Sequence, residues 1–236
     1  MTARLRLAII GDGKMGRSVH DLADGAGFEV VAFLGEHDVM AGGPTAAQLA
    51  GADVAVEFTM PGAAAANVMA CAEARVPVVS GTTGWDAQRP AAERSVRAAG
   101  GALLWSANFS LGVHIFARIV ERAAAEVAGA PGLFDVQLVE THHAEKKDAP
   151  SGTARMLAAR AAVALGRDLP VTSVRVGHVP GTHDLVFDGV FEQIRLTHTA
   201  RDRRVFAAGA LAAARWIVGR TGVFTMDDLL NAGGAR

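Results

Sequence analysis

Within residues 141–154, THHAEKKDAPSGTA, two imidazoles, two ammonium groups and the start of a helix fall inside one connection. Those groups at that spacing suit a small molecule that carries two negative charges and needs a proton. Imidazole titrates near neutral pH, and a positioned general acid contributes roughly 10²–10⁴ in rate, so His142 and His143 are the candidate proton handlers. Adjacent residues on a strand face opposite ways, and only one of the two meets a ligand unless the strand ends before them. Ser151 is placed to cap a helix, leaving the backbone N–H groups of Gly152 and Thr153 pointing outward. Gly152 also admits a ligand close to the backbone. A helix start contributes only about 0.3–1 kcal/mol to an exposed anion, so Lys146, with Lys147 beside it, must supply most of the charge complementarity.

A second group of residues suits a dinucleotide. Gly11, Gly13 and Gly16 form G-x-G-x-x-G between the apolar run LRLAII and a helix beginning near Met15, the context in which that motif brings a pyrophosphate to a helix N-terminus. Asp12, Lys14 and Met15 complete the turn. Glu36 lies twenty residues beyond Gly16, the spacing at which an acid accepts hydrogen bonds from the adenosine ribose of NAD; Lys14 and Arg17 could instead pair with a 2′-phosphate. Gly81, Thr82 and Thr83 follow the fourth apolar run, and Ser106, Ala107, Asn108 and Phe109 follow the fifth. Both segments are expected at the carboxyl edge of a parallel sheet, where such folds bind ligands.

The elements that must position these groups are legible in the hydrophobic pattern. LRLAII, FEVVAFL, DVAVEF, PVVSG and ALLWS alternate with helical segments near 63–74 and 91–99, which implies an α/β fold with a doubly wound parallel sheet. LFDVQLVE alternates like a half-buried strand, and RMLAARAAVAL repeats at helical spacing. The charged run is therefore a strand-to-helix loop, with Pro150 biasing Ala149 toward an extended backbone. From Phe134 the strands lengthen and become more polar, notably VTSVRVGHVPGTHDLVFDG and EQIRLTHTA, as expected for a mostly antiparallel sheet with one exposed or partner-covered face. The chain returns to helix over 206–218.

At 236 residues, two modest cores fit. A formal net charge of −1, with both signs scattered along the chain, gives no electrostatic case for nucleic acid or an anionic membrane. The single cysteine, Cys71, forms no internal disulfide and is expected in the core of a protein at home in the reducing cytosol. No run approaches the ~18 uninterrupted apolar residues of a membrane span, and no metal is assigned.

The string HHAEKKDAPSGTA closely resembles the signature of the 4-hydroxy-tetrahydrodipicolinate reductases, also called dihydrodipicolinate reductases. The similarity extends through GDGKMGR (11–17), SGTTGW (80–85), SANFSLGV (106–113) and THTARDRRVFAAGAL (197–211). The resemblance implies reduction by NADH or NADPH of a cyclic imine bearing two carboxylates, in diaminopimelate and lysine biosynthesis, through an enamine-like intermediate that is then protonated. It implies His142 as the leading acid, with Lys146 as second proton donor or charge stabiliser, and His143, Ser151, Gly152 and Thr153 as carboxylate anchors. Residues 81–83 and 106–109 would line the nicotinamide side of the cofactor. It further implies a discontinuous nucleotide domain (1–109 and 204–236) around an inserted substrate and oligomerisation domain (110–203), with Arg203 at the hinge, the lobes closing over both ligands, and a cytoplasmic homotetramer. The chain departs from the family where an acidic residue is often followed by arginine, reading Gly35-Glu36-His37; Glu36 alone argues for modest NADH preference. The competing readings are another imine-acting amino-acid dehydrogenase, which the DAPSGTA stretch disfavours, and a non-catalytic nucleotide sensor, which intact His142, Lys146 and Thr153 disfavour.

Overall fold

The computed structural model describes residues 4–39 and 42–233, so residues 1–3, 40, 41 and 234–236 of the expected nucleotide domain lie outside the described residues. The chain opens with β1 (Leu5–Ile10), α1 (Lys14–Ala23), β2 (Phe28–Leu34), β3 (Val54–Glu57), α2 (Pro61–Glu73), β4 (Val78–Ser80), α3 (Arg89–Ala98) and β5 (Ala102–Trp105). It continues through α4 (Leu111–Ala128), β6 (Asp135–His142), α5 (Gly152–Leu165), β7 (Val171–Arg175), β8 (Thr182–Asp188) and β9 (Gln193–Thr199). It returns with α6 (Arg204–Ile217), β10 (Gly222–Phe224) and α7 (Met226–Asn231). Leu111–Arg203 forms one compact unit and the remainder of the described chain another.

The first unit is a six-stranded, wholly parallel sheet of order β10-β5-β4-β3-β1-β2. β3 and β4 are buried along their whole length, as are Leu7–Ile10 of β1 and Ala102–Leu104 of β5, because helices cover both faces of such a sheet. α2 and α3 pack together on one side, and α1 and α6 on the other. Each buried Val, Leu or Ile side chain contributes about 1.5–3 kcal/mol. Cys71 lies in this core, on α2, as its alanine-rich surroundings predict. The tail adds an element that its composition does not announce. β10 is only three residues long, pairs with β5, and leads into α7 through a capping box made by Thr225 and Asp228.

The second unit is a four-stranded sheet of order β7-β6-β8-β9, parallel between β6 and β7 and antiparallel elsewhere. The long polar run over 171–189 divides into β7 and β8, since Gly177 and Gly181 turn the chain at positive φ. Along β6 the inward positions read Val136, Leu138, Glu140, His142, all buried. On β8 they read Phe187, Leu185, His183. Half of this face is thus an apolar core closed by α4 and α5, and the other half is polar. Register places Glu140 opposite His183, His183 opposite His198, and His142 opposite Arg175.

Candidate active site

β6 runs two residues further than its alternation suggests, ending at His142. His142 is therefore the last strand residue and faces inward, whereas His143 lies just beyond the strand, half-buried, with its amide donating to the Val179 carbonyl at 2.8 Å. Because the strand ends at His142, the two imidazoles are not bound to opposite faces of one strand. The His142 Nδ1 is hydrogen-bonded to Glu140 Oε2. The other carboxylate oxygen accepts from the Arg175 guanidinium at 2.7 Å and from the Ser151 amide at 3.4 Å.

Arg175 also holds the charged loop itself, donating to the Asp148 carbonyl at 2.6 Å and the Lys146 carbonyl at 3.3 Å. Lys146 Nζ lies 2.6 Å from Asp148 Oδ1 and keeps partial exposure, while Lys147 is exposed. Ser151 caps α5, its Oγ accepting from the Ala154 amide at 3.1 Å, and its Oγ lies 3.5 Å from His183 Nε2. Gly152 and Thr153 open the helix beside it. All six residues assigned to chemistry and substrate thus stand on one strand end, one loop and one helix start.

Three further residues belong to this cluster. Glu140, Arg175 and His183 carry no motif, and two of them come from the later strands β7 and β8, so only register brings them in. Burial alone would raise the Glu140 carboxyl, but hydrogen bonds from Arg175 and Ser173 and the His142 charge bring it down to about 2. Burial depresses His142, and Lys146 and Arg175 add to that against the pull of Glu140. Burial together with His142 and His198 depresses His183 to about 4. At neutral pH the His142 ring is thus neutral, with Nδ1–H directed at Glu140 and an Nε2 lone pair beside Gly181. Ligand atoms of Glu140, His142 and His183 lie within 4.8 Å of one another. The arrangement is nevertheless a hydrogen-bonded relay, because the Arg175 guanidinium already holds the carboxylate where a metal cation would compete for it.

In the first unit, the three motif glycines serve different ends. A Cβ on Gly11 would lie 2.0 Å from the Phe58 carbonyl oxygen, and one on Gly16 would lie 1.8 Å from the Gly11 oxygen, whereas one on Gly13 meets nothing within 4 Å. Two glycines are required by the fold itself, and the third leaves open space at the start of α1, which fits a pyrophosphate. Asp12 is exposed, with its carbonyl accepting from Arg17 Nε at 2.7 Å. Lys14 is also exposed, Met15 is half-buried, and Glu36 is exposed in the turn after β2.

Thr83 and Ala107 are exposed and Gly81 and Asn108 half-buried at the carboxyl ends of β4 and β5. Thr82 and Phe109 are buried, as is Ser106, whose Oγ closes on the Asn108 backbone. Their side chains shape the loops from within. Gly209 on α6 lets that helix press on the second loop, since a Cβ there would lie 1.7 Å from the Phe109 oxygen. Arg203 is exposed as the last residue of the second unit.

Residues 5–109 match the family model described as dihydrodipicolinate reductase, N-terminus, and residues 112–230 match dihydrodipicolinate reductase, C-terminus. A 4-hydroxy-tetrahydrodipicolinate reductase of Christiangramia forsetii is 32% identical over 96% of this chain and 98% of its own. The chain belongs to the dihydrodipicolinate reductase family. A second relative of that name, from Xanthomonas euvesicatoria, is 41% identical over 78% of this chain and 77% of its own. The fold matches a dipicolinate-bound dihydrodipicolinate reductase of Paenisporosarcina with a TM-score of 0.76 at 24% identity, covering 94% of this chain and 97% of that one. An aspartate dehydrogenase of Thermotoga maritima shares the fold more distantly, at a TM-score of 0.52 and 11% identity, covering 92% of this chain and 98% of that one. As a dihydrodipicolinate reductase family member, this chain is an oxidoreductase of diaminopimelate and lysine biosynthesis that draws on a nicotinamide dinucleotide.

Proposed function

We propose that the chain reduces 4-hydroxy-tetrahydrodipicolinate, or the dihydrodipicolinate formed from it, to tetrahydrodipicolinate with modest preference for NADH over NADPH. The preference is supported by Glu36, exposed where it can accept from a ribose hydroxyl. Gly11, Asp12, Gly13, Lys14, Met15 and Gly16 hold the pyrophosphate side, and the 81–83 and 106–109 loops the nicotinamide side. The dinucleotide, when bound, supplies a hydride.

The single observation that carries the reading is the clustering around the start of α5. Lys146 and the Arg175-braced loop offer positive charge, the capped helix start its N-terminal dipole, and His143 a ring nitrogen, to a dicarboxylate. The Lys146 ammonium binds one carboxylate, polarises the ring and releases a proton to the carbanion-like carbon of the enamine. Asp148, which the Lys146 hydrogen bond holds below the usual carboxylate range, keeps that ammonium in place. Sequence alone ranks His142 first as acid. Its neutral ring supports a different division of labour, in which Lys146 donates and His142, oriented by Glu140, shapes and receives hydrogen bonds.

The working unit we propose is a cytoplasmic homotetramer assembled through the second unit. Its support is the set of large apolar side chains exposed on that unit, among them Val190 at 87% and Phe191 at 98% in the β8–β9 turn. Among the described residues no helix is long and apolar enough to cross a membrane. An absorbance assay with the imine and each reduced dinucleotide tests the activity. Oxidation of both, with kcat/KM a few-fold higher for NADH, is expected. A kcat/KM far higher with NADPH overturns the preference, and no oxidation of either overturns the reaction.

A further inference from the structure

One buried acid of the first unit has no part in the chemistry above. Glu57 ends β3 and is fully buried. Its carboxyl accepts from the Thr59 amide at 3.0 Å, the Thr82 hydroxyl at 2.7 Å, the Ser80 hydroxyl at 2.5 Å and the Thr59 hydroxyl. Two of these hydroxyls have further partners. Thr82 Oγ1 accepts from the Thr59 amide at 2.7 Å, and Thr59 Oγ1 accepts from Asn67 Nδ2 at 3.2 Å, which leaves both hydroxyl protons available to Glu57. The carboxyl thus has the Thr59 amide and three hydroxyls as donors within reach, surroundings that suit a carboxylate. No lysine, arginine or histidine pairs with it among the described residues.

The bonds tie together the ends of three successive parallel strands. Glu57 ends β3, Ser80 ends β4, and the Thr82 carbonyl accepts from the indoles of Trp85 at 2.8 Å and of Trp105, the last residue of β5, at 3.0 Å. Gly81 is pressed so close to the Phe58 ring that a Cβ would lie 1.9 Å from it. Such a carboxyl edge is where a parallel sheet receives its ligand. A structural tie between neutral groups would have served as well, yet the sequence buries an acid without a cationic partner, at a cost that a neutral amide would avoid.

We propose that Glu57 is a positioning residue for the nicotinamide half of the dinucleotide: it holds the Thr59 and 81–83 turns in place and sets beneath them a negative charge that favours the oxidised, cationic ring over the reduced, neutral one. The inference rests on the cofactor reading of those turns. Hydride departure leaves the ring with one more positive charge, and a buried charge acts on that difference with little screening by salt.

The test is direct binding of NAD⁺ and NADH, by calorimetry or by quenching of tryptophan fluorescence, to the full-length wild type and to Glu57→Gln and Glu57→Asp. Glu57→Gln is expected to weaken NAD⁺ relative to NADH on the order of ten-fold, with Glu57→Asp restoring most of that ratio. An equal loss for both forms, or none, overturns the proposal. Should Glu57→Gln not fold, Thr82→Val removes one of the three donors to the Oε1 oxygen and leaves the carboxyl in place. It is expected to raise KM for NADH about five-fold with KM for the imine unchanged, and an unaltered KM for NADH overturns the proposal. Failure of the wild type to bind either dinucleotide overturns instead the cofactor reading beneath it.

Discussion

At the scale of single residues, the His142 cluster is organised by a carboxylate that no motif announces. Glu140 takes the His142 Nδ1 proton on one oxygen and the Arg175 guanidinium on the other, so one side chain sets the tautomer of the imidazole and the position of the loop that carries Lys146. A base or acid is only as useful as the group that orients it. Glu140→Gln keeps the shape but offers His142 a single acceptor and leaves Arg175 without a charge partner. Steady-state assays are expected to show kcat about ten-fold lower or more, with dinucleotide affinity unchanged. Lys146→Ala is expected to lose roughly 10²–10³ in kcat. Near-normal turnover in Lys146→Ala removes it as proton donor.

Elements decide which glycines are structural and which face a ligand. The passage from β1 into α1 carries three glycines at motif spacing, yet the space around them differs, and so must the effect of adding a methyl group. Gly16→Ala drives a Cβ into the Gly11 carbonyl, forcing β1 and α1 apart, so its melting temperature is expected to fall by several degrees. Gly13 sits at φ −69°, which alanine adopts freely, with open space beyond. Gly13→Ala is expected to keep the wild-type melting temperature while binding NADH at least ten-fold more weakly, because the methyl group occupies room needed by the pyrophosphate. Loss of stability in Gly13→Ala, or unchanged affinity, would contradict the assignment. The second unit applies the same principle on strands. Inward positions of β6 and β8 are apolar for half their length and ionisable for the rest, so one sheet face serves as both core and site.

For the whole molecule, burying these groups ties stability to pH. His183 is 3% exposed and held near 4, below its ordinary 6.5, so between those values the unfolded chain binds the extra proton and the folded state does not. Stability from this residue is complete above pH 6.5 and lost as pH falls toward 4. Glu140, lowered from 4.5 to about 2, extends the loss further: its contribution is complete above about pH 4.5 and disappears as pH falls toward 2. Urea unfolding of the wild type is expected to show the second unit losing about 2–3 kcal/mol from His183 between pH 7 and 4.5. His183→Gln should flatten that slope, and an equally steep slope in the variant would show that His183 titrates freely in the folded chain.

Much of this protein was readable from local pattern. Alternating apolar runs and helical segments specify a parallel sheet, because a strand buried on both faces must be apolar throughout. The G-x-G-x-x-G turn and the Ser151 cap are legible because their geometry is made by neighbours in sequence. The cluster around His142 was half legible: its loop residues are contiguous, but Glu140 reads as one more polar position in an alternating strand, and Arg175 and His183 are brought to it by strand register across 29 or more residues. Glu57 was equally silent, since only the pairing of β3 with β4 and the turns that follow them show that an acid is enclosed by donors. Pattern along the chain reports what each segment must do alone. Whether a histidine carries its proton and a carboxylate its charge depends on burial and on partners distant in sequence, and only the folded chain decides that.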